Sequence, residues 1–161
     1  MTTKIRIRFK GVGPDFRATR WRLPSQTDCF RSLPPNATSL FVPAENSLFI
    51  DRPGDRRRQE VAFRDVRSGL SDDGYTSLVF ARVSKKFCFR LLFNAERDTD
   101  DICSETCRTY KRLVRDAQFH SDHLGDAEGL MVPVHYGVWP MNTGDWVGKV
   151  LFSIAQYCGV A

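Results

Sequence analysis

Chemistry in this chain has to come from a few sets of residues, and the most prominent is cationic. Lys4, Arg6, Arg8 and Lys10 occupy every second position of Lys4-Ile5-Arg6-Ile7-Arg8-Phe9-Lys10. An extended strand therefore puts all four on one face and Ile5, Ile7 and Phe9 on the other. Arg17 lies just before Arg20 and Arg22, which flank Trp21, and Arg56, Arg57 and Arg58 form a triplet. Such groups grip phosphate backbones, and Trp21, Phe16 and Phe30 are of the type that stacks on bases. The plainer reading is a solvated strand face and a charged loop. A second set, Cys103, Cys107, His120 and His123, comes close to a two-cysteine, two-histidine zinc spacing. Its cysteines fall inside an expected helix, and too few residues separate its histidines, so neither a metal nor another cofactor is expected. His135 lies beside Tyr136 in an apolar stretch with no G-x-S-x-G motif. It reads as a core or edge histidine and not as a general base. Asp15, Asp28, Asp51 and Asp65 have no spacing that makes any pair of them a carboxylate couple.

The elements that must position these groups are strands and one helix. After the basic strand, Gly11-Val12-Gly13-Pro14 breaks the pattern, and Phe16 to Asn36 reads as irregular. Leu40-Phe41-Val42 and Leu48-Phe49-Ile50 read as short strands, and Asp51 to Arg58 as a polar connector. Glu60–Val66, Thr76–Val83 and Phe87–Phe93 form an expected antiparallel meander. Asp98-Thr99-Asp100-Asp101 offers N-caps for a helix from about Ile102 to about Phe119. A loop with His120 and His123 follows, then strands at Met131–Trp139 and Lys149–Tyr157. This order makes the fold class α+β.

Composition fits that class. Hydrophobic residues are 42% and charged residues 27% of the 161, which argues against disorder. No apolar run approaches the roughly 18 residues of a spanning helix, so no membrane partner is expected. The segment Met1 to Lys10 has no signal-like apolar core. Five cysteines in no framework spacing read as reduced thiols, which implies a cytoplasmic or nuclear protein. The charge is uneven: residues 1–67 carry 14 Lys/Arg against 7 Asp/Glu, and residues 68–161 carry 10 against 12. A basic first part invites an anionic partner, nucleic acid among them.

Several local texts carry a family resemblance. Phe87-Cys88-Phe89-Arg90 stands where a kinase third strand has Val-Ala-Ile-Lys. Glu105 with Tyr110-Lys111-Arg112-Leu113 resembles the helix that supplies the lysine's glutamate partner. Val132-Pro133-Val134-His135-Tyr136-Gly137-Val138-Trp139 and Val150 to Gly159 resemble the fourth strand and the fifth strand running into the hinge. Residues 60–161 thus resemble the N-terminal lobe of a protein kinase, most of all the divergent kinase-like domains of mushroom-forming fungi. The resemblance implies a five-stranded antiparallel sheet with one long helix over residues 56–161. Residues 1–55 have no counterpart in ordinary kinases and, too turn-rich to sustain a core alone, read as an extra β element that packs on the lobe.

It also implies a nucleotide-cleft remnant of Gly69, Gly74, Arg90 and Glu105. That remnant departs from the family's pattern. Only two of the three loop glycines are present, with Asp72 and Asp73 between them, and carboxylates repel phosphate. Arginine replaces the anchoring lysine. The family's catalytic-loop H-R-D and metal-binding D-F-G have no counterpart in residues 60–161, so no kinase activity is expected. The expectation is a non-catalytic, pseudokinase-like protein-interaction or regulatory module. Its protein partner or second copy would dock around the helix, Tyr157 and Cys158. The alternative is a nucleic-acid-binding protein acting through its basic N-terminal face.

Overall fold

The computed structural model describes residues 4–21, 30–42, 46–51, 58–63, 65–70, 76–84, 86–92, 105–144 and 146–158. The expected basic strand is β1, Lys4–Phe9, whose side chains alternate strictly between exposed cations and buried Ile5, Ile7 and Phe9. It pairs antiparallel with β2, Phe16–Thr19, inside a stretch that reads as irregular. On its other edge it pairs parallel with β3, Ser39–Val42. Strands β4, Asn46–Asp51, and β5, Arg58–Phe63, form a separate two-stranded sheet in which Asp51 pairs with Arg58. The division expected at residue 55/56 therefore lies between two strands that pair with each other.

Next come β6, Asp65–Leu70, β7, Thr76–Arg82, and β8, Phe87–Leu92, an antiparallel meander. The single strand expected at 60–66 is thus divided between two sheets. Helix α1, Glu105–His123, follows, then a 3-10 turn at Gly125–Ala127, β9, His135–Asn142, and β10, Lys149–Gln156. The helix runs past Phe119, so His120 and His123 belong to its last turn and not to a loop. Among the described residues, no helix is long and apolar enough to cross a membrane.

The strand order in the large sheet is β3-β1-β2-β9-β10-β8-β7-β6. The N-terminal element therefore extends the sheet edge to edge. The seam is narrow: Ala18 pairs with Met141, and the Trp21 N–H donates to the Val138 carbonyl at 2.8 Å. The sheet curls so that one face of β1–β3 and the same face of β8–β10 share a core. Ile7, Phe9, Phe89, Trp139, Phe152 and Ile154 are fully buried there. Burying side chains of this size contributes about 1.5–3 kcal/mol each and holds the seam shut despite its few hydrogen bonds. The β9–β10 turn assists. Thr143 closes it through Oγ1, which donates to the Gly148 carbonyl and accepts from the Val147 N–H. Its Trp146 stacks on Phe16 and leans on Phe9.

The opposite face is divided in two. Leu113 and Ala117 of α1, one turn apart, cover Leu92, Val138 and Leu151. Beyond the helix, the same face of β1 and β2 is exposed.

Candidate functional site

The open half of that face is where the cations converge. Lys4, Arg6 and Arg8 project from β1, and Arg17 and Thr19 from β2, all exposed. Arg6 stands directly opposite Arg17 in the ladder and, on its other side, opposite Ser39 of β3. Like charges facing each other across a ladder repel. Arg8 is balanced by Asp15, Nε to Oδ1 at 2.7 Å. Lys4, Arg6 and Arg17 make no ion pair among the described residues. Two hollows open on this surface and share Arg17. One, of about 470 Å³, is lined by Lys4, Arg6, Arg17, Thr38 and Ser39. The other, of about 550 Å³, runs from Arg17 and Trp21 across β9 to Lys149 on β10.

The remaining cations of the sequence pattern lie elsewhere. Lys10 is exposed in the turn after β1. Arg20 turns inward: its Nη2 donates to the Phe30 carbonyl at 3.2 Å and its guanidinium sits 5.7 Å from the Phe30 ring centre. Gly137, at φ 95°, makes room for it, since a β-carbon there would lie 3.1 Å from the Arg20 Nε. Arg22, Arg56 and Arg57 lie outside the described residues, and Arg58 opens β5. Of the cations lining the two hollows, only Lys149 was not among the residues the sequence singled out. Arg17 has the right exposure only because a four-residue strand forms there, and Lys149 arrives through a pairing across the fold.

The nucleotide-cleft remnant is differently arranged. Arg90 on β8 makes its ion pair with Asp116 of α1, Nη1 to Oδ2 at 3.0 Å. Glu105 opens the same helix, eleven residues earlier and about 16 Å away along its axis. Gly69 lies within β6, paired with Leu78, and Gly74 is outside the described residues. Cys88, two residues before Arg90, has its thiol pushed above the ordinary range by burial and then by Cys158, which suits a structural thiol and not a nucleophile.

A third cluster ties the parts together. Glu128 is buried, and its carboxylate accepts from His120 Nε2 at 2.6 Å and the His135 backbone N–H at 3.1 Å, and is ion-paired with Arg31, Nε to Oε2 at 3.2 Å. Helix, strand and N-terminal element thus meet on one carboxylate. His123 instead leans on Phe119, with ring centres 4.9 Å apart. Cys103 lies outside the described residues. No group of three or more His, Cys, Asp or Glu among the described residues is placed to hold a metal.

The His135 ring packs against Phe30 and His120. Its pKa is pushed from 6.5 to about 3, chiefly by burial and then by His120, Arg90 and Arg20. Its Nδ1 accepts from the Gly137 N–H at 3.0 Å, a bond that a proton on that nitrogen would break. The unfolded chain takes up this proton below 6.5, whereas the folded chain resists until about 3. The stability His135 contributes is therefore complete above pH 6.5 and lost as pH falls towards 3. Moving from neutral pH to one unit below the unfolded value should cost about 1 kcal/mol. His135→Asn, which keeps an acceptor near Nδ1, should flatten that part of the profile in urea melts run against pH.

Among the described residues, four large apolar side chains are exposed, Phe41 on β3 being one of them. Leu130 and Met131 are 87% and 88% exposed at a turn tip, and Phe119 is 57% exposed on the helix. Tyr157 is half-buried and Cys158 exposed.

With this geometry in place, the chain was compared with protein-family models, curated proteins and solved structures, and no match was found in any of the three.

Proposed function

We propose that this chain is a non-catalytic binding module on a kinase-lobe-like framework, and that it binds polyanions, nucleic acid foremost, through the open basic face. The observation that carries this reading is the Arg6–Arg17 pair. Two guanidinium groups face each other on a solvent-exposed ladder, flanked by Lys4, with no ion-pair partner among the described residues. A phosphate between them would remove the repulsion and take up their hydrogen-bonding capacity. The framework part rests on element order: a three-strand meander, one helix, then two strands. The non-catalytic part rests on Arg90, an arginine in the place of the family's anchoring lysine, and on the carboxylates Asp72 and Asp73 between Gly69 and Gly74.

The test is fluorescence anisotropy with a short labelled oligonucleotide across a salt series. Four or five phosphate contacts predict a log–log slope of about −3 for a single strand. Absence of binding at low salt would sink the polyanion reading. If light scattering then showed a salt-insensitive dimer or larger species, a protein-interaction module would take its place.

A further inference from the structure

The two hollows on the basic face differ in chemistry, and the difference specifies a ligand. The smaller is polar, with Lys4, Arg6 and Arg17 beside Thr38 and Ser39, and offers cations and hydroxyl-bearing residues to a phosphate. The larger has an apolar floor, Pro140 and Leu151, and an indole wall, Trp21, with Asn142 at its rim and cations at both ends, Arg17 and Lys149. The Oδ1 of Asn142 already accepts from the Gly144 N–H at 2.9 Å, which leaves its amide NH2 as the group able to donate to a ligand. A volume of about 550 Å³ lies within the range of small-molecule pockets. A flat ring on Trp21, an edge against Asn142 and a phosphate at Arg17 describe one nucleotide.

We infer that the exposed face of β1, β2 and β9 is a site for single-stranded nucleic acid, in which one base stacks on Trp21 in the larger hollow and the adjoining phosphate lies between Arg17 and Arg6. This rests on the polyanion reading and narrows it. A duplex keeps its bases stacked and paired inside, so it can reach the cations but not the hollow. An acidic peptide or a lipid headgroup meets the cations equally well but has no planar ring for the indole wall. Base–aromatic stacking tolerates every base, so the site has little sequence preference.

The test compares, on the unaltered protein, a thymidine oligonucleotide, an abasic strand of the same length and charge, the matching duplex, and heparin. The unaltered protein is used first because Trp21 also packs on the buried cluster around Phe30 and Leu113. The base-bearing strand is expected to bind at least about tenfold tighter than the abasic one. Trp21→Ala, checked for folding by circular dichroism, should close that gap and leave the salt slope unchanged. Equal binding of the base-bearing and abasic strands would overturn the nucleotide site while the polyanion reading stood. A duplex bound as tightly as the single strand would overturn it too. If none of the four ligands bound, both readings would fall together.

Discussion

Replacing Glu128 with alanine is expected to lower the free energy of unfolding by about 3 kcal/mol, read as a shift of the urea midpoint at neutral pH. The side chain is 3% exposed, accepts two hydrogen bonds, from α1 and from β9, and forms an ion pair with Arg31 of the N-terminal element. Its removal leaves the His120 Nε2–H and the His135 N–H facing a void, and each buried donor without an acceptor costs about 1–3 kcal/mol. Against a domain stability of about 5–15 kcal/mol, that is a large fraction. Glu128→Gln keeps the volume and one acceptor oxygen and should lose less than half as much. Arg31→Ala separates the contributions: Arg31 is 58% exposed, and an ion pair with one partner in solvent contributes at most about 1 kcal/mol. If Arg31→Ala were as damaging as Glu128→Ala, the carboxylate would matter as a charge partner and not as a buried acceptor.

The second large effect concerns binding. The double substitution Arg6→Glu/Arg17→Glu should weaken oligonucleotide binding by at least about a hundredfold at low salt. It should also lower the magnitude of the salt slope by about 1.4, the share of two phosphate contacts on a single strand. The single substitution Arg17→Glu is more informative. It places opposite charges across the ladder position that now holds two cations, so the fold should gain about 0.2–1 kcal/mol while binding falls. Gain of stability with loss of affinity is the pattern of a surface kept for a ligand. A variant that lost both would mean that Arg17 supports the strand and not a partner.

Much of the scaffold was legible in the sequence because it is written in local periodicity. The alternation from Lys4 to Phe9 fixed both faces of β1, and the Val- and Phe-rich runs marked β7 and β8. What escaped was either short or non-local. Phe16–Thr19 alternates over four residues only, too few to stand out beside glycine and proline. The helix reads as ending at Phe119 because the polar residues 120–123 show no apolar spacing, although the backbone continues through them and buries Ser121. The run from Glu60 to Val66 reads as one strand, and only tertiary pairing divides it. The candidate site divided the same way. Lys4, Arg6, Arg8 and Arg17 were visible; the pairing that sets Arg17 opposite Arg6 was not, Lys149 joined them through sheet neighbours, and Asp116 meets Arg90 across 26 positions. No spacing rule reaches that far.

The narrow seam between β2 and β9 also bears on how the molecule is made. Ala18 must wait for Met141, about 120 residues later, before that edge is paired. At a synthesis rate of about 5–20 residues per second, the interval is on the order of ten seconds. Throughout it the nascent chain presents an unpaired strand edge. The row of lysine and arginine on β1 and β2 is then a safeguard in biogenesis, since mutual repulsion keeps the open strands of neighbouring nascent chains from pairing with one another.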